Sequence, residues 1–380
     1  KVKFTDKKGN VTQYRYDEAG NLAGIENPLG QHMQMKYNEH RQMTELSMEG
    51  ESLWKNESDS RGNLTRREDA LGRAIVLSYN ENGKPVEICQ PDASRITLRY
   101  DAQGNIVSIT EPGGGEQKYE YDAFGNVTAS IDGNGNRTAY AYNKRGHIVA
   151  VTNAEGKTKH FSYNESGKVT CMEDYDGSKI YREYNDINKP CRIVNQEGNE
   201  ILLEYDSMWN LVCKKDPNGA VTRYEYDKLN RLKRIVNPKG AEIVYEYDAN
   251  GNRTKITDTF GATVKMKYDA LNRLVQIEDA DGSVSKMEYN VYGQQTKLTD
   301  ALGNVKQIIY DKAGQKTGVI DAMGNETRYQ YQELGKISQV TDAMGRQTKY
   351  EYLPGGLLAK VTYPDGTYLC YTYDANRNVK

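Results

Sequence analysis

Residues 245–261 read YEYDANGNRTKITDTFG. Close variants occupy 98–114, 119–135, 140–156 and 329–345, so the phrase is a unit of architecture used many times. A catalytic site brings unlike residues together once, whereas repetition at a fixed period builds a row of like pieces. Stepping by 21 residues from Tyr16 lands on Tyr37, Ser58, Tyr79, Tyr100, Tyr121, Tyr142, Tyr163, Tyr184, Tyr205, Tyr226, Tyr247, Tyr268, Tyr289, Tyr310, Tyr331, Tyr352 and Tyr373. Seventeen of these eighteen anchors are Tyr and no insertion or deletion breaks the metre, so every copy must fill the same geometric slot.

The residue after the anchor is Asp or Asn in 16 of 18 copies, and the residue four after it is Gly or Asn in 15 of 18. Asp122 with Gly125, Asp248 with Gly251, Asp311 with Gly314, and Asp269 with Asn272 show the pattern. Asp or Asn opens a type I turn by bonding nearby backbone, and Gly or Asn then accepts positive φ, which is the chemistry of a hairpin closed by a G1 bulge. A second signal follows in most copies, with Asp or Asn eleven residues after the anchor and Gly fourteen after it, so each unit holds two turns.

Between turns the period is two. In TQYRYD (12–17) Thr12, Tyr14 and Tyr16 share one face while Gln13 and Arg15 share the other, which predicts a half-buried strand. The returning segment is apolar nine residues after the anchor (Ile25, Ile109, Ile256) and again six after it (Leu22, Leu232, Leu274), two positions of opposite parity. A bulge just after the turn would bring both onto the Tyr face.

Two strands per unit give some thirty-six strands, joined by turns too short for a parallel crossover, so the expected fold is all-β: one continuous antiparallel hairpin ribbon. Accumulated twist should make so long a ribbon curl into a spiral, hollow shell segment, with a flat or superhelical solenoid as the alternative. At about 4.8 Å per strand the ribbon is roughly 170 Å long, enough when bent round to hold a small folded protein. The chain is expected to be a single array over 1–380, without linker or second domain, and to be an excerpt of a longer protein.

Composition narrows the partners. The 51 basic and 53 acidic residues are interspersed and leave a net charge of −2, which gives no footprint for nucleic acid. No run of eighteen apolar residues offers a membrane span, and KVKFTDKKGN lacks the apolar stretch of a secretion signal, so any export is expected to be encoded elsewhere. Thirty Tyr stand against 4 Phe and 2 Trp, so the apolar area comes from a ring that is expected to keep its hydroxyl for water. Cys89, Cys171, Cys191, Cys213 and Cys370 are odd in number and scattered, which reads as reduced thiols.

With its YxYDxxGN core, as in Tyr245, Tyr247, Asp248, Gly251 and Asn252, the unit resembles the tyrosine-aspartate (YD) repeats of the Rhs family. Related repeats occur in bacterial Rhs and wall-associated polymorphic toxins, in shell subunits of insecticidal toxin complexes, and in teneurins. The resemblance covers the whole chain and implies a secreted or cell-surface protein, a structural and non-catalytic shell that sequesters its own C-terminal effector domain. A carbohydrate- or receptor-binding adhesion module, with a cell-surface glycan or receptor as partner, is the alternative. Bacterial shells of this kind usually end in a self-cleaving segment with a DPxGL-like motif; here DPNGA (Asp216 to Ala220) falls in turn phase, so it reads as a turn.

Other candidate chemistry is weak. The recurrent Asp is freely replaced by Asn, which argues for turns and against calcium ligation. His32, His40, His147 and His160 occupy four different phases, show no zinc spacing, and are expected to be solvated. No nucleophile motif appears, so no catalytic, metal or cofactor-binding residue is assigned and the chain is not expected to be an enzyme. Trp209 stands where Gly or Asn is expected, and Trp54 lies in the degenerate unit whose anchor is Ser58; both read as repeat decay or as exposed partner contacts.

Overall fold

The computed structural model describes residues 2–380. Thirty-six strands form one antiparallel sheet, with no helix among the described residues. Contacts divide the chain into two compact units. The first comprises the segment ending at Tyr100 with Ser108–Glu116 and Met266–Lys380, the second Asp101–Val107 with Gln117–Lys265.

One repeat shows how the sequence makes the hairpin. Strand Glu242–Tyr247 pairs with Arg253–Thr257, Val244 opposite Thr257, Tyr245 opposite Ile256 and Glu246 opposite Lys255. The register then shifts, so that Tyr247 faces Arg253 and Thr254 is left as the extra residue of a bulge. The positions six and nine after the anchor therefore lie opposite the anchor and the residue two before it. The parity conflict in the sequence is resolved by the bulge. The same shift recurs at Tyr121, Tyr226 and Tyr289.

Between the two strands Gly251 N–H donates to the Asp248 carbonyl at 3.1 Å and Asp248 N–H to the Asn252 carbonyl at 2.9 Å. Gly251 carries φ 95°, a left-handed backbone that a residue with a Cβ adopts only at a cost. The second turn repeats the scheme, Gly261 N–H donating to the Asp258 carbonyl at 3.0 Å.

The two faces differ as the alternation requires. In Val221–Tyr226 the residues Thr222, Tyr224 and Tyr226 are half-buried while Arg223 and Glu225 are exposed. The exposed face carries cross-strand ion pairs between the residue before the anchor and the one eight after it: Glu225 with Arg234 at 2.7 Å, Glu246 with Lys255 at 3.0 Å, Glu288 with Lys297 at 2.8 Å. Such solvated pairs each contribute only about 0.2–1 kcal/mol but favour one register. Buried apolar residues are few, namely Met35, Met48, Ala129, Cys213 and Val361 among the described residues. With so thin a core, the repeat must hold itself together by polar as well as apolar means.

Within the first unit, segments far apart in sequence touch. Arg73 donates to Gln315 at 2.7 Å, Lys312 pairs with Glu51 at 2.8 Å, Gly355 N–H donates to Asp92 at 2.9 Å, and Arg377 pairs with Glu111. These separations run from 242 to 266 residues, close to twelve repeats of 21. Turns about twelve repeats apart are therefore neighbours in this unit.

Candidate functional site

The feature that recurs in both units is a clasp made by the anchor hydroxyl. Tyr142 Oη–H donates to the Val127 carbonyl at 2.7 Å, Tyr163 to Ile148 at 2.6 Å, Tyr247 to Leu232 at 2.6 Å and Tyr352 to Ile337 at 2.8 Å. Tyr37, Tyr79, Tyr100, Tyr121, Tyr184, Tyr205, Tyr289, Tyr310, Tyr331 and Tyr373 do the same, each reaching the carbonyl fifteen residues back. That carbonyl belongs to the position six after the previous anchor, so each hydroxyl ties one hairpin to the next.

The bulge explains why a donor is needed there. Strand Leu22–Glu26 pairs onward with His32–Tyr37 only through Gly24, Ile25 and Glu26, leaving Leu22 beyond the ladder. Its half-buried carbonyl takes its bond from Tyr37 instead, and an unmet polar group of this kind costs about 1–3 kcal/mol. The hydroxyl is therefore committed to the backbone; the expectation that it would be left to water is corrected. Phe would supply the ring and miss the bond.

The unit without a tyrosine anchor supports this. Ser58 is too short to reach across, and Asn56 Nδ2, two residues earlier, donates at 3.2 Å to the Met43 carbonyl, the acceptor fifteen residues before Ser58. Arg67 holds the Asn56 Oδ1 at 3.0 Å and lies over the Trp54 ring at 5.0 Å. The degenerate unit is rebuilt around its missing ring, which gives Trp54 a packing role.

The turn aspartates are equally committed. Asp122 Oδ1 accepts the backbone N–H of Phe124 and of Asn126, both at 2.9 Å, and Oδ2 accepts Asn126 Nδ2 at 2.9 Å. The side-chain bond from Asn126, then the backbone bonds, hold its carboxyl below the usual carboxylate range. Asp248 accepts from Asn250 and Asn252 in the same way, Asp269 binds Arg273 Nε at 2.7 Å, and Asp311 accepts the N–H of Ala313 and Gln315. Gly125 and Gly314 carry φ 83° and 81°. Burial, more than nearby charge, pushes the anchor phenols Tyr142 and Tyr352 above their ordinary value.

No group of three or more His, Cys, Asp or Glu side chains fit to hold a metal occurs among the described residues, and no helix there is long and apolar enough to cross a membrane. The five cysteines are free thiols. His147 is half-buried with its ring 4.9 Å from that of Tyr163, so its expected solvation is corrected by packing on an anchor. Trp209 is exposed in the left-handed region at φ 68°, in the turn position where Gly is the rule. Sequence reasoning missed the hydroxyl acceptor, the Asn56 substitute and the ion-pair ladder, all of which depend on cross-strand register. The fixed Tyr phase was the only signal of the first.

The constant residues of the repeat all serve the sheet itself. The Teneurin YD-shell family profile matches residues 3–130, and the RHS repeat profile matches 121–158, 210–242, 226–263, 268–305, 310–343 and 333–368. The chain belongs to the YD/Rhs repeat family. No curated protein matches this YD/Rhs chain in sequence. Among solved structures it is similar to a crystal structure of TcdB2-TccC3-Cdc42 (13% identity, TM-score 0.71, covering 98% of this chain and 26% of that one). It is also similar to TcdB2-TccC3 (14%, 0.62, 100% and 29%) and to a Tc holotoxin pore of Photorhabdus luminescens (13%, 0.58, 98% and 22%). At such identities the likeness concerns the fold, and the YD/Rhs array spans about a quarter of the length of those chains.

Proposed function

We propose that this YD array is a structural, non-catalytic stretch of shell wall in a secreted or cell-surface protein, and that the wall encloses an effector domain of the same protein, carried C-terminal to the array. The carrying observation is the contact within the first unit, where turns about twelve repeats apart lock edge to edge through Arg73–Gln315, Lys312–Glu51 and Arg377–Glu111. A ribbon clasped along its length by tyrosine hydroxyls, and held edge to edge within the first unit, has the continuity that a containing wall needs. Containment needs that property, and a binding module does not. The recurrent residues serve turns, clasps and register, which supports a passive role, and the family and fold point the same way.

The experiment is protease protection of the natural protein that carries the array. The enclosed domain should resist digestion under native conditions and become sensitive at the denaturant concentration that melts the array's β signal. A cargo domain digested as fast in the native state as when free overturns the reading.

The adhesion alternative has one observation in its favour. In the second unit Tyr119, Tyr140 and Tyr142 line a groove with Gln117, Asp132 and Asn136, rings beside polar groups as sugar stacking uses. Glycan screening tests it; saccharide binding lost on Tyr140→Ala would favour adhesion over containment.

A further inference from the structure

Within the first unit the early turns sit between the later ones. The turn at 69–72 lies between those at 311–314 and 332–335: Arg73 donates to Gln315 at 2.7 Å, and its guanidinium comes to 3.7 Å from where a Cβ on Gly335 would stand. The turn at 90–93 lies between 332–335 and 353–356, Pro91 and Leu334 lining one cavity and Asp92 accepting the Gly355 N–H at 2.9 Å. The turn at 111–114 lies between 353–356 and 374–377, with Pro112 only 2.6 Å from a Cβ built on Gly355 and Glu111 paired with Arg377. The early and later stretches therefore mesh like a zipper, each early turn flanked by two later ones.

The residues favour this register over a slip of one repeat. Such a slip would set Pro112 against Leu334 in place of Gly355, Glu111 against Gly356 in place of Arg377, and Glu51 against Val291 in place of Lys312. The first change is a clash and the other two remove ion pairs.

The mesh is built differently from the strand ladder. Neighbouring strands are joined by backbone bonds along their length, whereas the mesh is held mainly by side chains, helped by Gly115 N–H donating to the Ala375 carbonyl at 2.6 Å. It is tightest where two glycine-rich turns meet, GGG at 113–115 and LPGG at 353–356. Gly114 lies outside the left-handed region, so its glycine serves to leave room: the Arg377 stem runs 3.4 Å from where its Cβ would be. Arg377 then spans two turns, Nη1 pairing with Glu111 and Nη2 donating to the Gly355 carbonyl at 3.0 Å. It does so from φ 66°, where most repeats have Gly or Asn, a strain from which its own turn gains nothing. At Glu51 and Lys312 the mesh is looser. Those side chains are 55% and 67% exposed, against 42% and 29% for Glu111 and Arg377, and a cavity of about 340 Å³ opens between Met48, Leu53 and Tyr292.

We propose that the mesh is a joint that opens while the hairpins on either side stay folded, and that Arg377 is its bolt, acting with Glu111, Asp92 and Gly355. A few side-chain bonds give way under conditions that leave a continuous backbone ladder intact, which makes the mesh a separate cooperative unit. The inference rests on contacts within this chain and stands whether or not the containment reading holds.

Hydrogen exchange of the whole chain tests it, because Gly115 and Gly355 N–H are bonded across the mesh and report its opening directly. In wild type both should exchange faster than amides in the strands Ala74–Tyr79 and Gln347–Leu353. Arg377→Gly should speed the two reporters at least about tenfold, for loss of a charge-assisted pair and a second bond, and leave the strand amides unchanged. The same variant relieves the left-handed strain, so its urea midpoint for loss of β-sheet should hold or rise. Lys312→Gln, which loses an exposed pair, should speed the reporters by a few-fold at most. Reporters that exchange in step with the strand amides, in wild type or in Arg377→Gly, overturn the joint, as does a urea midpoint that falls in Arg377→Gly. Equal effects of Arg377→Gly and Lys312→Gln overturn the role of bolt.

Discussion

Replacing Tyr121, Tyr142 and Tyr163 by Phe removes three hydroxyls and leaves three rings. Each loses one bond, to the Ile106, Val127 and Ile148 carbonyls at 2.7, 2.7 and 2.6 Å. A net bond is worth about 0.5–1.5 kcal/mol, and a carbonyl left half-buried keeps the loss from falling to the bottom of that range, so about 1 kcal/mol per site. The anchors are a full repeat apart and share no acceptor, so the losses add to about 3 kcal/mol, roughly a hundredfold in an opening equilibrium. Hydrogen exchange of amides in Val127–Ile131 and Ile148–Thr152 reads the local opening, and urea unfolding reads the whole. In the Ser58 repeat, Asn56→Leu should cost about 1 kcal/mol for its one bond to the Met43 carbonyl, and Ser58→Tyr added to it should recover that loss by restoring a donor there. If the triple Phe variant stays within about 0.5 kcal/mol of wild type, the rings alone account for the anchors and the clasp carries no stability.

Four further outcomes are expected. Gly251→Val should cost about 1–2 kcal/mol in urea unfolding for forcing a β-branched residue to φ 95°, whereas Gly251→Asn should cost a few tenths, as Asn188, Asn230 and Asn272 hold that repeat position. Lys255→Ala, losing an exposed ion pair, should also stay below about 1 kcal/mol. Nothing lies within 4 Å of a Cβ built on Gly251, so equal losses for Val and Asn would contradict the role given to φ. Gly355→Val should open the contact within the first unit, because its Cβ would meet Pro112 at 2.6 Å; exchange should quicken around Asp92 and Arg377 and stay unchanged in the second unit. Acid should destabilise the array. Asp17, Asp122, Asp206 and Asp321 sit below their ordinary value of 3.8, chiefly through a side-chain bond from Asn, so their contribution is complete above that pH and is lost as pH falls through the lower folded values. Urea midpoints measured down the acid range should fall, and less steeply in Asp→Asn variants. Alkali acts on the phenols: Tyr142, Tyr163 and Tyr352 lie above 10.0 through burial, so their contribution holds below that pH and disappears as pH climbs through the folded values. Tyrosinate absorbance should rise together with loss of β-sheet circular dichroism.

The residues by themselves determined the period, the two turns per unit and the identity of the Tyr face, because these follow from chemistry within a few residues. Asp248 and Gly251 specify a chain reversal at their spacing, and alternation in VTRYEY (221–226) assigns its own faces. Even the bulge was legible, as a parity conflict between Leu232 and Ile235. The acceptor of each tyrosine hydroxyl was not, because it lies one hairpin away and is left unpaired by a register that exists only once three strands are assembled. Asn56 serving in place of an anchor was hidden for the same reason. Only the tertiary structure decided that turns about twelve repeats apart meet within the first unit, since small twists at every ladder add up to that meeting and no single residue encodes their sum.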